Sequence, residues 1–343
     1  LATKFGFIDT SGEFAIPPIY DGVGEFREGR AVVRRGTRMG YVSRDGHEII
    51  PCQYGGAADF SGGLAAVTEW DAELAAPTMS RERAYAIRQK KKPVGYINRA
   101  GERVIDPSFI FAGEFSEGVA DVEYDIGKWG FADAEGNIRP VEAGCLYGFR
   151  EGRARFETGD LRRGFLDTEL RVVIPPIYKG IYDFHEGLAW ATEEYGQVTS
   201  HFLNPAGERV LTFDTYCDDE FSEGLLAVRS GNLWGFVNKS GEQVIPPISE
   251  SAGNGFQEGM ASVQCDGKWG CIDVEGAMVI EPRFDWSCAF SEGLAWVSVG
   301  GTSGFVNVAG DLVFETRCQY VGAFHEGLAA AEIALDVARL AQA

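Results

Sequence analysis

A four-residue box, Phe-x-Glu-Gly, returns nine times along the chain, once with Gly62 in place of the glutamate, and no other feature constrains the fold as tightly. Its closing glycines are Gly29, Gly63, Gly118, Gly152, Gly187, Gly224, Gly259, Gly293 and Gly327. Successive boxes lie 34 to 37 residues apart except for one gap of 55, so a single insertion interrupts a regular array. A unit this short cannot bury an apolar face alone, so neighbouring units must stack and share a core.

Each unit reads as three strands. A small-apolar run follows the box, as in Leu64-Ala65-Ala66-Val67. A second run alternates aromatic, glycine and aliphatic residues, as in Trp234-Gly235-Phe236-Val237-Asn238, which is the period of a strand. Its glycine lets another backbone or a large ring approach closely. The run ends at Asp9, Asn98, Asp133, Asn204, Asn238, Asp273 or Asn307, each three residues before a Gly. An Asp or Asn that accepts a local backbone hydrogen bond, followed by a left-handed Gly, is hairpin chemistry. The return strand carries Ile-Pro-Pro, as in Val244-Ile245-Pro246-Pro247, where proline ends the ladder. The predicted unit is a three-stranded antiparallel meander followed by a crossover loop.

The order W-G-F-I-D-x-x-G, then V-I-P-P-x-Y, then F-x-E-G-L-A-x-V resembles the WG-repeat family, from Phe5 to about Ala330. The resemblance implies a bacterial β-repeat scaffold with no catalytic residues to carry over. The Trp-Gly pair itself survives at Trp129-Gly130, Trp234-Gly235 and Trp269-Gly270. Elsewhere the first slot holds Phe5, Met39, Val94, Arg163 or Ser303, and one unit offers Ser200-His201. Leu170 stands where a turn glycine belongs, and the unit of Trp129 lacks Ile-Pro-Pro, so the middle units are the least regular.

The expected architecture is all-β: nine tandem three-stranded units over residues 1–330, with an insertion at 69–93. Two arrangements bury the unit faces, an open β superhelix or solenoid and a closed propeller-like ring. The chain begins on a second-strand sequence and ends after a first-strand sequence, which suits closure. Residues 331–343, rich in Ala with Ile333, Leu335, Val337 and Leu340, read as an amphipathic helix that caps an open end or starts a linker. The open array is the expectation on that account.

A net charge of −20 repels nucleic acid and anionic membrane, and no apolar run approaches the ~20 residues of a membrane-spanning helix. Seven cysteines without paired metal-ligand spacing favour a reduced, cytoplasmic setting. The chain starts at Leu1, which reads as a trimmed N-terminus and leaves an export leader open.

Neither a catalytic set nor a metal or cofactor motif is expected. Glu28, Glu117, Glu151, Glu186, Glu223, Glu258, Glu292 and Glu326 recur with the box and read as fold-holding acceptors rather than as a cation-binding ladder. Trp129, Trp234 and Trp269 are structural repeat positions of the same kind. The residue between Phe and Glu (Arg27, Ser61, Ser116, Arg150, His185, Ser222, Gln257, Ser291, His325) varies as an exposed loop position does. The insertion is the one piece the scaffold does not need. Arg81, Arg83, Arg88, Lys90, Lys91 and Lys92 face Glu82 alone there, so it reads as a docking element for an acidic partner or as a solvated loop.

The leading functional expectation is a non-enzymatic scaffold for another protein. A carbohydrate or cell-envelope binder using exposed Trp70, Trp190, Trp286 and Trp296 is the alternative, and an enzyme sited in the irregular middle units is the third reading.

Overall fold

The computed structural model describes residues 3–70, 93–194, 196, 198–286 and 288–334. They form antiparallel sheets throughout, and there is no helix among the described residues. Six sheets have four strands, one has three, and one of seven strands runs two repeats together through the long strand Glu48–Ala57. Below, a repeat is numbered by its box, Phe26 opening the first and Phe324 the ninth.

The crossover loop of the sequence reading holds a further strand in most repeats. Gly22–Val23, Phe111–Ala112, Gly180–Ile181 and Tyr320–His325 each pair with the strand after the box. Most repeats are therefore four-stranded rather than three-stranded. These segments alternate too briefly to register as strands in the sequence.

Turn chemistry follows the side chains. Asp9, Asn98, Asp133, Asn204, Asn238, Asp273 and Asn307 each accept the backbone N–H two residues on, at 2.9–3.1 Å. The third residue on is a positive-φ glycine in all seven turns. Leu170 adopts φ 64° in the equivalent place, supported by the Asp167 carboxylate on Glu169 N and Arg171 N.

The strand glycine has a specific neighbour. A Cβ on Gly235 would lie 2.6 Å from the Ile245 carbonyl oxygen, and Gly6, Gly40, Gly95, Gly164 and Gly270 meet the same carbonyl of their own repeats. The Ile-Pro-Pro strand bulges at this point, with pairing passing from Trp234↔Ser249 to Phe236↔Ile245. Glycine leaves room for the bulged backbone.

Every box phenylalanine is buried. It meets, at 4.8–5.2 Å, the aromatic that follows the strand glycine in the preceding repeat: Phe7 with Phe26, Tyr41 with Phe60, and so on to Phe305 with Phe324. At one seam Cys271 replaces the ring, and its sulfur lies 2.50 Å from that of Cys288 in the next repeat. Nine hydrophobic clusters result, one at each seam between consecutive repeats. Burying each ring contributes about 2–3 kcal/mol, so the seams carry most of the stabilisation.

The chain's two ends share a sheet. Leu328–Ala334 pairs antiparallel with Thr3–Asp9 over seven residues, from Thr3↔Ala334 to Asp9↔Leu328. The expected open array is thus corrected to a closed one, because this pairing removes both strand edges. The helix expected over 331–343 is corrected for its first four residues. Ala331–Ala334 complete that closing strand, with Ala331 and Ile333 buried in the core, and residues 335–343 lie outside the described ones. Over Ala331–Ala334 burial alternates as in a strand.

Candidate functional site

The eight box glutamates adopt φ 50–54°, beside glycines with φ 71–87°. Each carboxylate accepts the box-glycine N–H of the next repeat, not of its own. Glu28 holds Gly63, Glu117 holds Gly152, Glu151 holds Gly187, Glu186 holds Gly224, Glu223 holds Gly259, Glu258 holds Gly293 and Glu292 holds Gly327, at 2.8–3.1 Å. Glu326 reaches Gly29 and closes the series. Gly62 occupies the glutamate position of the second box, so the Gly118 N–H has no such clasp. Arg99 and Lys239 add ion pairs to Glu28 and Glu186 at 2.7 and 3.0 Å. With their oxygens engaged in this way, the glutamates join repeats together.

In five boxes the residue after the phenylalanine is not the free loop position expected from its variability, whereas Arg150 and Gln257 are exposed as expected. Ser61, Ser116 and Ser291 donate to the carbonyl of the next box phenylalanine at 2.6 Å, Ser222 makes the same bond, and His185 reaches the Phe221 carbonyl at 2.7 Å. The polar character is retained because the partner is a backbone oxygen.

Trp129 is buried against Phe111, with ring centroids 5.7 Å apart, while Trp234 and Trp269 are half-buried against seam clusters. Of the tryptophans considered for sugar stacking, Trp190 lies on Tyr182 at 5.1 Å and Trp296 packs against a core cluster. Trp70 bonds Thr37 and lies under Arg38, leaving Trp286 as the exposed one of the four. Arg81, Arg83, Arg88, Lys90, Lys91 and Lys92 fall in residues 71–92, outside the described residues. The four histidines bond to unrelated partners, and no group of three metal-ligating side chains occurs among the described residues.

The boxes bring together charge that the sequence scatters. The residue just before the box phenylalanine is acidic in five repeats: Glu25, Asp59, Glu114, Asp183 and Glu220. Arg27 lies 3.6 Å from Asp59, 3.8 Å from Glu25 and 3.9 Å from Glu114, and His325 of the ninth repeat lies 3.4 Å from Glu25. An ion pair between the first and third repeats places these groups on the inner rim, where the boxes converge. A cavity of about 360 Å³ opens there, lined by residues of five consecutive repeats, from Arg27 through Glu114, Asp121 and Tyr147 to Asp183.

Asp121 is the unusual member. It sits on the strand Val119–Asp125, is 6% exposed, and burial with the nearby Asp183 and Glu114 charges pushes its pKa up to about 6. Burial also raises Asp59, with Arg27 opposing the shift. In the fourth repeat Arg155 occupies the position equivalent to Asp121. It lies over the Tyr147 ring, donates to the Ile181 carbonyl, and stands 3.6 Å from Asp183. Sequence reasoning missed Asp121 because one Asp in an acidic chain carries no signal until its burial is known.

Two further cavities are plainer. One of about 490 Å³, lined by Phe284, Val297 and Leu312, lies where Leu312–Thr316 runs without the proline bulge. The other, about 310 Å³, is walled by Tyr182, Trp190 and Tyr216 and holds Asp218, which burial and Asp219 raise to about 7.

No curated protein matches the chain. Among solved structures it is similar to a crystal structure of the eukaryotic initiation factor, at 9% identity and a TM-score of 0.58, covering 92% of this chain and 96% of that one. BamB from Moraxella catarrhalis also matches, at 9% identity and a TM-score of 0.41, over 97% of this chain and 99% of the other. At such identities the first likeness concerns the fold alone. The sequence matches the WG containing repeat over residues 5–36, 39–69, 95–129, 164–195, 234–269, 269–302 and 304–333. With most of its length accounted for in this way, the chain belongs to the WG containing repeat family.

Proposed function

We propose that this protein is a non-catalytic, closed nine-repeat scaffold that binds another protein through the acidic mouth of its ring. One observation carries the reading: the residues that recur in every repeat are occupied in holding repeats together, whereas the charged positions that vary collect at the inner rim. Glu25, Asp59, Glu114, Asp121 and Asp183 outnumber Arg27, Arg150 and Arg155 there, so the surface suits a basic partner. The basic insertion at 69–93 supports a second contact, with an acidic surface, on its sequence alone.

Affinity capture with the full chain tests this. The partners retained by the wild type are expected to be lost from a Glu25→Gln, Asp59→Asn, Glu114→Gln variant and to be released by moderate salt. Deleting residues 72–92 separates the contribution of the insertion. Partners held equally by every variant would end the scaffold reading.

A further inference from the structure

We propose that the cavity around Asp121 receives an alkylammonium group, either the end of a partner's lysine side chain or of a free diamine. The inference rests on the reading of the mouth as the binding face and adds the chemistry that the face recognises.

Other repeats fill the Asp121 position with Val32, Ala66, Trp190, Ala227, Ser262, Trp296 or Ala330, so the fold has no need of an acid there. An ionised carboxylate at 6% exposure costs several kcal/mol when it has no partner. No side chain among the described residues donates to it, and the hydrogen bond it accepts is from its own backbone N–H, whereas its counterpart Arg155 has both a carbonyl and a carboxylate. The carboxylate lies against two glycines. Any side chain on Gly113 would overlap it, and a Cβ on Gly148 would stand 3.6 Å from Oδ1. Gly148 occupies the position before the box phenylalanine that is acidic in five other repeats. At this seam the acid comes from the strand instead, and the glycine leaves its approach to the cavity open.

What would complete the site is a compact cation. The Glu114 and Asp183 carboxylates share the cavity, so the three N–H donors of an ammonium find acceptors on more than one wall. Phe111, 43% exposed, and the Phe115 and Tyr147 rings offer apolar walls to a methylene stem. About 360 Å³ admits a side chain but no folded element. Because no group of three side chains able to hold a metal occurs among the described residues, these acceptors suit hydrogen bonding to an organic cation rather than metal coordination.

The charged and titratable groups facing Asp121 are Glu114 on its own repeat, Arg27 from the first, Tyr96 from the second, Cys145, Tyr147, Arg150 and Arg155 from the fourth, and Asp183 from the fifth. Ionised Asp121 is the binding form, so affinity is expected to fall as pH drops through about 6.

Calorimetric titration of the full chain with 1,5-diaminopentane, a lysine-containing peptide and its Nε-acetylated form provides the test. The wild type should bind the diamine, the lysine peptide or both, at least tenfold more tightly at pH 7.5 than at pH 5, and ignore the acetylated peptide. Binding of the peptide alone assigns the ammonium to a protein, and binding of the diamine assigns it to a free amine. Asp121→Asn should weaken binding at least tenfold, and Gly148→Leu, which lays a side chain over the carboxylate, should do the same if the first variant folds poorly. Asp106→Asn, at an exposed position outside the cavity, should leave binding unchanged. Failure of both amines to bind the wild type, or equal binding by Asp121→Asn, overturns the proposal. Loss of amine binding with capture of partners intact would sink this inference alone, and loss of capture alone would sink only the scaffold reading.

Discussion

Glu326 accepts the backbone N–H of Gly29 at 2.9 Å, joining the last box of the chain to the first. The same bond links consecutive repeats elsewhere, so the closing seam uses the clasp of the internal seams. The chain also crosses this seam covalently, from Phe14–Tyr20 into Gly22–Val23, and its two ends meet instead inside the sheet of the ninth repeat.

Removing a clasp is expected to weaken the whole ring. Glu326→Ala leaves Gly29 N–H without its carboxylate and should lower stability by about 1–2 kcal/mol in urea unfolding, with Glu151→Ala similar. Glu→Gln keeps an acceptor and should lose less. Unchanged midpoints for both alanine variants would show the clasps to be ornamental.

Closure itself can be locked. Phe5 and Glu332 are direct cross-strand partners in the closing sheet. A Phe5→Cys, Glu332→Cys pair should oxidise readily, run faster on a non-reducing gel, and stabilise the chain by up to about 5 kcal/mol because the bridged loop is so long. A chain whose ends lie apart would not form this bridge.

Asp121 fixes a pH dependence with a definite sign. Its pKa is raised from 3.8 to about 6, so the folded chain holds the proton more tightly than the unfolded chain between those values. Stability from this group is present at low pH and is lost as pH rises through about 6, by an amount on the order of 2–3 kcal/mol. Asp121→Asn is therefore expected to be more stable than the wild type at pH 7.5 and no more stable near pH 4. Equal denaturant midpoints at pH 7.5 would refute the assignment.

The strand glycine should be intolerant where the bulge meets it. Gly235→Ala forces its Cβ to within 2.6 Å of the Ile245 carbonyl and is expected to destabilise by about 2–3 kcal/mol. Gly159, with no heavy atom within 4 Å of a built Cβ and no positive φ, should accept Ala within about 0.5 kcal/mol. Thermal melts of the two variants make the comparison.

Much of the repeat was readable because its residues act locally. Asp133 and Gly136 make their turn with neighbours two to four residues away, and the alternation of Trp234 to Asn238 is the strand itself. What the sequence concealed depends on long-range placement. Phe131 and Phe149 are each conspicuous in their motifs, yet nothing local says that one packs on the other across a seam. Closure was only half legible for the same reason: the strand phase of the two ends suited it, but Ala331 and Ile333 suit a helix as well as a strand until Gly6 and Lys4 lie opposite them. The acidic mouth appears only once the ring's curvature brings Arg27 to Glu114, two repeats away.

The one unclasped seam has a consequence for how the ring moves. A linear stack of repeats frays from its ends, but a closed one has no end and must first give way at a joint. Here the joint without a glutamate clasp, expected to give first, lies between the second and third repeats, where Gly62 stands for glutamate and the Ser61 bond to Phe115 and the Tyr96 ring hold the seam. Amide exchange should start there. On one side of it lies the repeat interrupted by the basic insertion, and on the other the repeat that carries Asp121, so the ring flexes most easily beside the cavity that a ligand would have to enter.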